Sequence, residues 1–334
     1  MRLRLIVLVI ILLGGISAKC GVFGENQDRL VKMVSLDTQI SVAAISPKGE
    51  LVATVDRTST SSGNYPIKVW QVEDGRLRYA TDEYSVYSLT FSSDGSMLAA
   101  ACADGVRLLR IADGQLLRTF AGNQLFAVAF SPDSQSLVAG GAEGEVLMWR
   151  VNDGTLLNKF ELDKHITSVA FSPNKSLLTA GTASNIGFVD PKEAHQGNNP
   201  IALWRLSDRK TLAPLAGHRF GVLSLTFDSQ GQTLATAGSD GVLKLWRLRD
   251  GEMINNAQLA SSQIPIHAVS FAPDGQTLAF GVDNNILVFS SSGAAQQHAL
   301  KGHTKPILRL QYSDDGKTLL SVSEDNTIRI WRLQ

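Results

Sequence analysis

Two stretches of the chain place a histidine, a hydroxyl and a carboxylate in the same order and at the same spacing. They are His218, Thr236 and Asp240, then His303, Ser321 and Asp325. By residue type these are a base, a nucleophile and an acid, the constellation of acyl transfer. Asp190, Glu193 and His195 offer two carboxylates and an imidazole to a metal ion, in a Gly- and Asn-rich stretch that fixes no geometry. Recurrence argues for architecture: a triad is needed once, whereas a spacing that repeats belongs to a repeated unit. Gly-x-Ser-x-Gly, a phosphate-cradling Gly-rich loop, His-Glu-x-x-His and a haem attachment motif are all missing from the sequence. The six histidines are dispersed as His165, His195, His218, His267, His298 and His303, with His165, His218 and His303 at repeat starts. Neither a catalytic residue nor a metal or cofactor site is expected.

The elements that carry these residues are short and alternating. Between Gly217 and Gly251, period-2 apolar runs cover Val222 to Phe227, Thr233 to Ala237 and Val242 to Leu248, and a fourth run follows from Glu252 to Leu259. Asp228-Ser229-Gln230-Gly231, Gly238-Ser239-Asp240-Gly241 and Asp250-Gly251 separate them, so the pattern reads as four antiparallel strands, a to d. Asp-Gly is read as a two-residue hairpin turn with positive φ at both positions. The unit recurs on Ile45, Phe91, Phe130, Phe171, Phe227, Phe271 and Tyr312, mostly about 40–45 residues apart, which predicts an all-β, seven-bladed β-propeller. The chain ends on a third strand, Ile328 to Trp331. The run Leu30, Val31, Val34, Leu36 is therefore expected to close the ring as the outer strand of the last blade.

Over about residues 28–334 the chain resembles the WD40-repeat family, in the exported bacterial form. Gly217-His218 and Gly302-His303 match its Gly-His pair, and Trp70, Trp149, Trp204, Trp246 and Trp331 match the tryptophan closing strand c. The residue after each tryptophan departs from the pattern: it is Gln71, Arg150, Arg205, Arg247 or Arg332, never aspartate. The resemblance implies two buried hydrogen-bonded sets, His218–Thr236–Asp240–Trp246 and His303–Ser321–Asp325–Trp331. Buried polar groups persist when they satisfy one another, so each set reads as a lock on its blade. Blades 2, 3 and 6 lack the set: Leu109 and Phe289 replace tryptophan, and Ala139 replaces the strand-b hydroxyl of blade 3.

Two b–c loops exceed the regular spacing, after Arg57 in blade 1 and after Ser184 in blade 4. Both project from the end that also carries the d–a loops. Tyr65, Phe188, Lys192, Glu193 and His195 are the expected contacts for a protein or peptide partner, since loop aromatics often anchor interfaces.

The first residues are basic, at Arg2 and Arg4, then aliphatic from Leu5 to Leu13, then small to Ala18. That predicts a signal peptide or membrane anchor over 1–19, a tether over 20–27 and a propeller over 28–334. Ser17-Ala18-Lys19-Cys20 is a degraded lipobox, making Cys20 a lipidation candidate. A periplasmic, envelope-associated or secreted place follows, with membrane contact only through the N-terminus. Cys102, at the end of a strand, reads as a buried apolar residue. The 31 basic and 31 acidic residues balance, which argues against nucleic-acid binding through bulk charge. The expected function is a non-catalytic interaction scaffold. The competing readings are a propeller enzyme or small-ligand binder at the channel mouth, and a membrane-tethered assembly subunit.

Overall fold

Strand b of each repeat is a continuous buried run, not an alternating one. In blade 2, Leu98, Ala99, Ala100, Ala101 and Cys102 are all fully buried. Small residues on both faces let a neighbouring blade pack on each side. The computed structural model describes residues 29–56, 65–183, 199–249, 252–261, 264–291 and 296–333. These residues form seven antiparallel sheets and contain no helix long and apolar enough to cross a membrane.

Blade 1 comprises Val42–Ile45, Leu51–Val55, Tyr65–Gln71 and Leu77–Tyr84. Blade 2 comprises Val86–Phe91, Met97–Cys102, Gly105–Arg110 and Leu116–Phe120. Blade 3 comprises Leu125–Phe130, Ser136–Gly141, Glu145–Arg150 and Leu156–Glu161. Blade 5 comprises Val222–Phe227, Thr233–Gly238, Val242–Arg249 and Glu252–Ser261; blade 6 comprises Val269–Phe271, Thr277–Val282, Asn285–Ser290 and Gln296–Lys301. Blade 4 differs. His165–Phe171, Leu177–Ala183 and Asn199–Arg205 are regular, but its outer strand is split into Lys210–Thr211 and Leu215–His218. Pro214 lies in the gap, where a residue without an N–H cannot extend the ladder.

Blade 7 closes the ring. Leu30–Ser35 pairs antiparallel with Thr327–Arg332, outside Thr318–Ser323 and Ile307–Tyr312. The a strands of successive blades touch one another in a closed cycle and so surround the axis. Seven apolar clusters fill the seams, each made from two neighbouring blades. The core is therefore distributed around the ring.

The c–d turns clasp one blade to the next. The Gly75, Gly114 and Gly154 turns have positive φ only at the glycine, so Asp-Gly does not form the expected two-residue hairpin. The loop is longer, and the aspartate instead accepts the N–H two residues on, at 3.0 Å from Arg76 to Asp74 and 3.1 Å from Gln115 to Asp113. In blade 4, Arg209 takes the positive-φ position without a glycine. Asp250-Gly251 lies outside the described residues. A Cβ on Gly75 would stand 2.5 Å from Val34 of blade 7, so the turn needs glycine for closeness as well as for φ. Arg118 of blade 2 donates to the Asn152 and Asp153 carbonyls of the blade 3 turn at 2.8 and 3.0 Å.

Candidate functional site

Each polar set is a chain of donors that fixes its own protons. Trp331 Nε1–H donates to Ser321 Oγ at 2.8 Å, and Ser321 lies 2.7 Å from His303 Nε2. The serine's one hydrogen goes to Nε2, which leaves the proton on His303 Nδ1, 2.8 Å from Asp325. Asp325 also accepts the N–H groups of Thr304 and Thr327 at 2.9 and 3.0 Å and the Thr327 hydroxyl at 2.6 Å. Blade 5 repeats the arrangement. Trp246 donates to Thr236 at 2.9 Å, Thr236 lies 2.9 Å from His218 Nε2, and His218 Nδ1 lies 2.9 Å from Asp240. Blade 1 keeps the tryptophan half alone, Trp70 to Thr54 at 2.7 Å, with Leu36 in the histidine slot.

Burial alone would raise the Asp325 carboxyl, but the hydrogen bonds from His303, Thr327 and Thr304 outweigh it and hold the group well below the usual carboxylate range. Burial lowers the His303 pKa despite Asp325 beside it, so the imidazole stays neutral. Ser321 and Thr236 are completely buried and already shared between tryptophan and histidine. No substrate atom reaches them, so these sets hold blades together and do not attack.

His165 does not belong to the series. It lies within strand a of blade 4, against the Ala142 carbonyl, while Leu162 occupies the histidine slot. Cys102 is buried and free, and burial pushes its thiol up to about 12. Tyr65 begins strand c of blade 1, half-buried, opposite Tyr84. Phe188, Lys192, Glu193, His195 and Asp190 lie outside the described residues, as does Cys20. Among the described residues no three His, Cys, Asp or Glu side chains cluster as a metal site.

At the b–c and d–a end of the channel, the inner strands carry a feature that the sequence reading did not anticipate. Strand a carries a β-bulge at one repeated position, between Val86 and Ser88, Leu125 and Ala127, Ile166 and Ser168, Val222 and Ser224, and Ile307 and Arg309. The bulged residues are Tyr87, Phe126, Thr167, Leu223 and Leu308. A bulge takes a residue out of the ladder and re-aims its side chain. All five are half-buried, and Tyr87 meets Phe126 edge-to-face at 5.1 Å across the blade 2–3 seam. His267 stands at the matching position of blade 6. Beside this ring the loop over 218–220 presents Arg219, whose guanidinium lies 5.3 Å from the Phe220 ring. Asn199 pins that loop: its amide donates to the Phe220 and Arg219 carbonyls at 2.9 and 3.2 Å. The signal in the sequence was positional, because each bulged residue stands four before its blade's aligning aromatic.

A family model described as "Nucleolar protein 10-like, N-terminal domain" matches residues 53–301, and one described as "WD domain, G-beta repeat" matches residues 294–332. The chain is 27% identical over 210 residues to Protein groucho of Drosophila melanogaster, a match covering 63% of this chain and 27% of that protein. It is 24% identical over 201 residues to Transcription factor unc-37 of Caenorhabditis elegans, covering 60% of this chain and 30% of that protein. These matches thus span less than a third of each relative's length. The relatives come from a fly and a worm, and the words nucleolar and transcription factor belong to the nucleus. The expectation of an exported bacterial form, in the periplasm, at the envelope or outside the cell, is therefore corrected. It rested on the composition of residues 1–18, which lie outside the described residues. The chain belongs to the WD-repeat propellers of the Nucleolar protein 10-like, N-terminal domain family.

Proposed function

We propose that the propeller is a non-catalytic scaffold that holds a peptide segment of a protein partner across the loop end of its channel. The observation that carries this reading is the bulged ring of Tyr87, Phe126, Leu223 and Leu308. Four apolar or aromatic residues occupy the same bulged position at the start of the inner strands, and Tyr87 meets Phe126 across one seam. Aromatic residues anchored on a rigid frame supply contact area at little entropic cost, and they dominate hot spots. Tyr65 and the insertion residues Phe188, Lys192, Glu193 and His195, the last four outside the described residues, are assigned as secondary contacts. The near balance of charge supports a protein partner over nucleic acid. The name of the worm relative, Transcription factor unc-37, makes a component of transcription a fitting class.

The test is selection of random displayed peptides on the whole chain, followed by affinity measurement against Tyr87→Ala and Phe126→Ala. Selected peptides should lose about 2 kcal/mol of binding to each variant. Peptides that bind both variants as tightly as the parent would place the interface elsewhere. Competition among selected peptides then separates the mouth from the insertions.

A further inference from the structure

Three seams of the outer rim close on a glycine, and the seam between blades 3 and 4 does not. A Cβ on Gly75 would stand 2.5 Å from Val34 of blade 7, on Gly114 2.6 Å from Tyr79 of blade 1, and on Gly154 3.1 Å from Arg118 of blade 2. Each of these c–d turns therefore lies directly on the outer strand of the preceding blade. In blade 4 the same place is held by Arg209, at φ 59°. A side chain stands where the other turns have room for none, so this turn cannot settle on Leu156–Glu161 as closely. The reach from the other side is also shorter. Lys32 of blade 7 and Arg118 of blade 2 donate to carbonyls of the next turn, whereas Asn158 holds that register position in blade 3.

A groove of about 380 Å³ runs along this seam, lined by Leu156, Leu157, Asn158, Lys159, Phe160 and Arg209. Successive side chains of a strand point to opposite faces, so five residues in a row border one groove only along the strand's edge. That edge is open. Leu156–Glu161 ends the sheet of blade 3, and among the described residues no strand pairs on its far side. An edge strand turns a row of N–H and C=O groups outward. Beside the turn, blade 4 contributes only the two-residue strand Lys210–Thr211. The charges of the seam are unequal. Lys159 is spent on Glu145 and Glu161 at 2.5 and 3.0 Å, and Asp208 on Arg205 at 3.3 Å and on the Lys210 N–H at 3.2 Å. Arg209 is exposed, and among the described residues no ion pair includes it. Leu156, 50% exposed, adds an apolar contact at the same end.

We propose that this groove docks an extended, acidic peptide segment of a protein partner. The segment pairs with the edge of Leu156–Glu161 as a fifth strand and sets a carboxylate on Arg209. Main-chain pairing supplies affinity at such an edge, and the side chains beside it supply choice. A guanidinium presents a fork of donors that matches a carboxylate, so the lone cation selects an acid. The site lies on the outer rim and does not depend on the bulged residues of the inner strands.

Calorimetric titration of the full chain tests this with acetyl-Thr-Val-Asp-Val-Thr-Val-amide and with the same peptide carrying Lys in place of Asp. The acidic peptide should bind at least about tenfold tighter than the basic one. Arg209→Glu should abolish that preference. Arg209→Gly restores the clasp of the other seams and should weaken the acidic peptide by about tenfold or more. Hydrogen exchange of the saturated chain should slow amides within 156–161, and protection over 86–91 and 125–130 instead would place the peptide at the inner strands and overturn the proposal. Equal binding of the two peptides overturns it, as does undiminished binding of the acidic peptide to both Arg209 variants. No saturation by the acidic peptide up to about 5 mM does the same. Sedimentation of the chain alone covers the remaining occupant: self-association that protects 156–161 and is lost in Arg209→Glu would give the edge to a second copy and overturn the peptide reading.

Discussion

Trp331 is the donor that sets every proton of the blade 7 lock, so its removal and the removal of the acceptor at the other end should differ. Trp331→Phe keeps most of the buried ring and leaves Ser321 with one partner fewer, at a cost of about 1–2 kcal/mol. Asp325→Ala strands the His303 Nδ1–H, two backbone N–H groups and the Thr327 hydroxyl together, and should cost about 3 kcal/mol or more. Urea denaturation of both variants checks the order, and equal losses would contradict the chain of bonds. The same geometry predicts acid sensitivity in two stages. His303 is depressed in the folded state, so the unfolded chain takes up its proton first and stability declines as pH falls below about 6.5. Asp325 and Asp240 are also held low, so their contribution is full above the unfolded carboxylate pKa and fades as pH falls below about 4. A urea midpoint that stays flat from pH 7 to pH 5 would refute the first stage. Gly238 sits under the blade 5 lock: a Cβ there would stand 2.6 Å from His218 Nδ1 and 2.7 Å from Asp240 Oδ1. Gly238→Ala should cost about 1–3 kcal/mol although it adds one methyl group.

At the scale of the element, burial is greatest in strand b and falls outward from there, and that gradient explains what was readable. Strands b are buried on both faces, strands c alternate, and strands d expose residues such as Leu77, Leu116 and Leu156. Alternation with turn residues at a fixed period was enough to give seven blades and the closing strand. Four features escaped, for different reasons. The bulge at Tyr87, Phe126, Thr167, Leu223 and Leu308 shifts register by one residue and leaves composition alone. The misplacement of His165 came from reading a histidine near a strand start without counting back from Phe171. The split outer strand of blade 4 had a visible cause in Pro214, whose effect depends on which neighbour it faces. The Asp-Gly turns were recognised as turns but given the wrong length, since the dipeptide serves both a tight hairpin and a longer loop with a carboxylate acceptor. The closing strand carries the sharpest prediction here. Removing Leu30–Ser35 exposes the edge of Thr327–Arg332 and the pocket of Val34, which is 8% exposed. The loss should exceed about 3 kcal/mol and bring self-association through the open edge. An unchanged melting temperature would show that the ring does not depend on this seam.

Across the whole molecule, the closed ring separates stability from the insertions at its loop end. Strands b and c of blade 1 already pair at Val55 and Ile67, before the inserted residues begin. In blade 4 the ladder holds at Gly181 and Ile201, Thr182 donates to the Pro200 carbonyl at 2.8 Å, and Asn199 is fixed to the neighbouring loop. Both stems are thus anchored on the ring side. Closing a shorter loop on fixed stems changes the entropy little, by about 0.6 kcal/mol for each halving of length. Replacing residues 57–64 and 184–198 with short Gly-containing turns, while keeping Asn199, should therefore move the melting temperature by no more than about 2–4 °C. Asn199→Ala is the contrasting variant. It frees the 218–220 loop, costs about 1–2 kcal/mol, and weakens any ligand that touches Arg219 or Phe220. Calorimetric melting of both proteins separates the cases. A large drop in the trimmed protein would mean that the insertions pack against the ring and share in its stability. A small shift, with peptide affinity retained at Tyr87 and Phe126, would leave the mouth as the surface that binds and the insertions as its flanks.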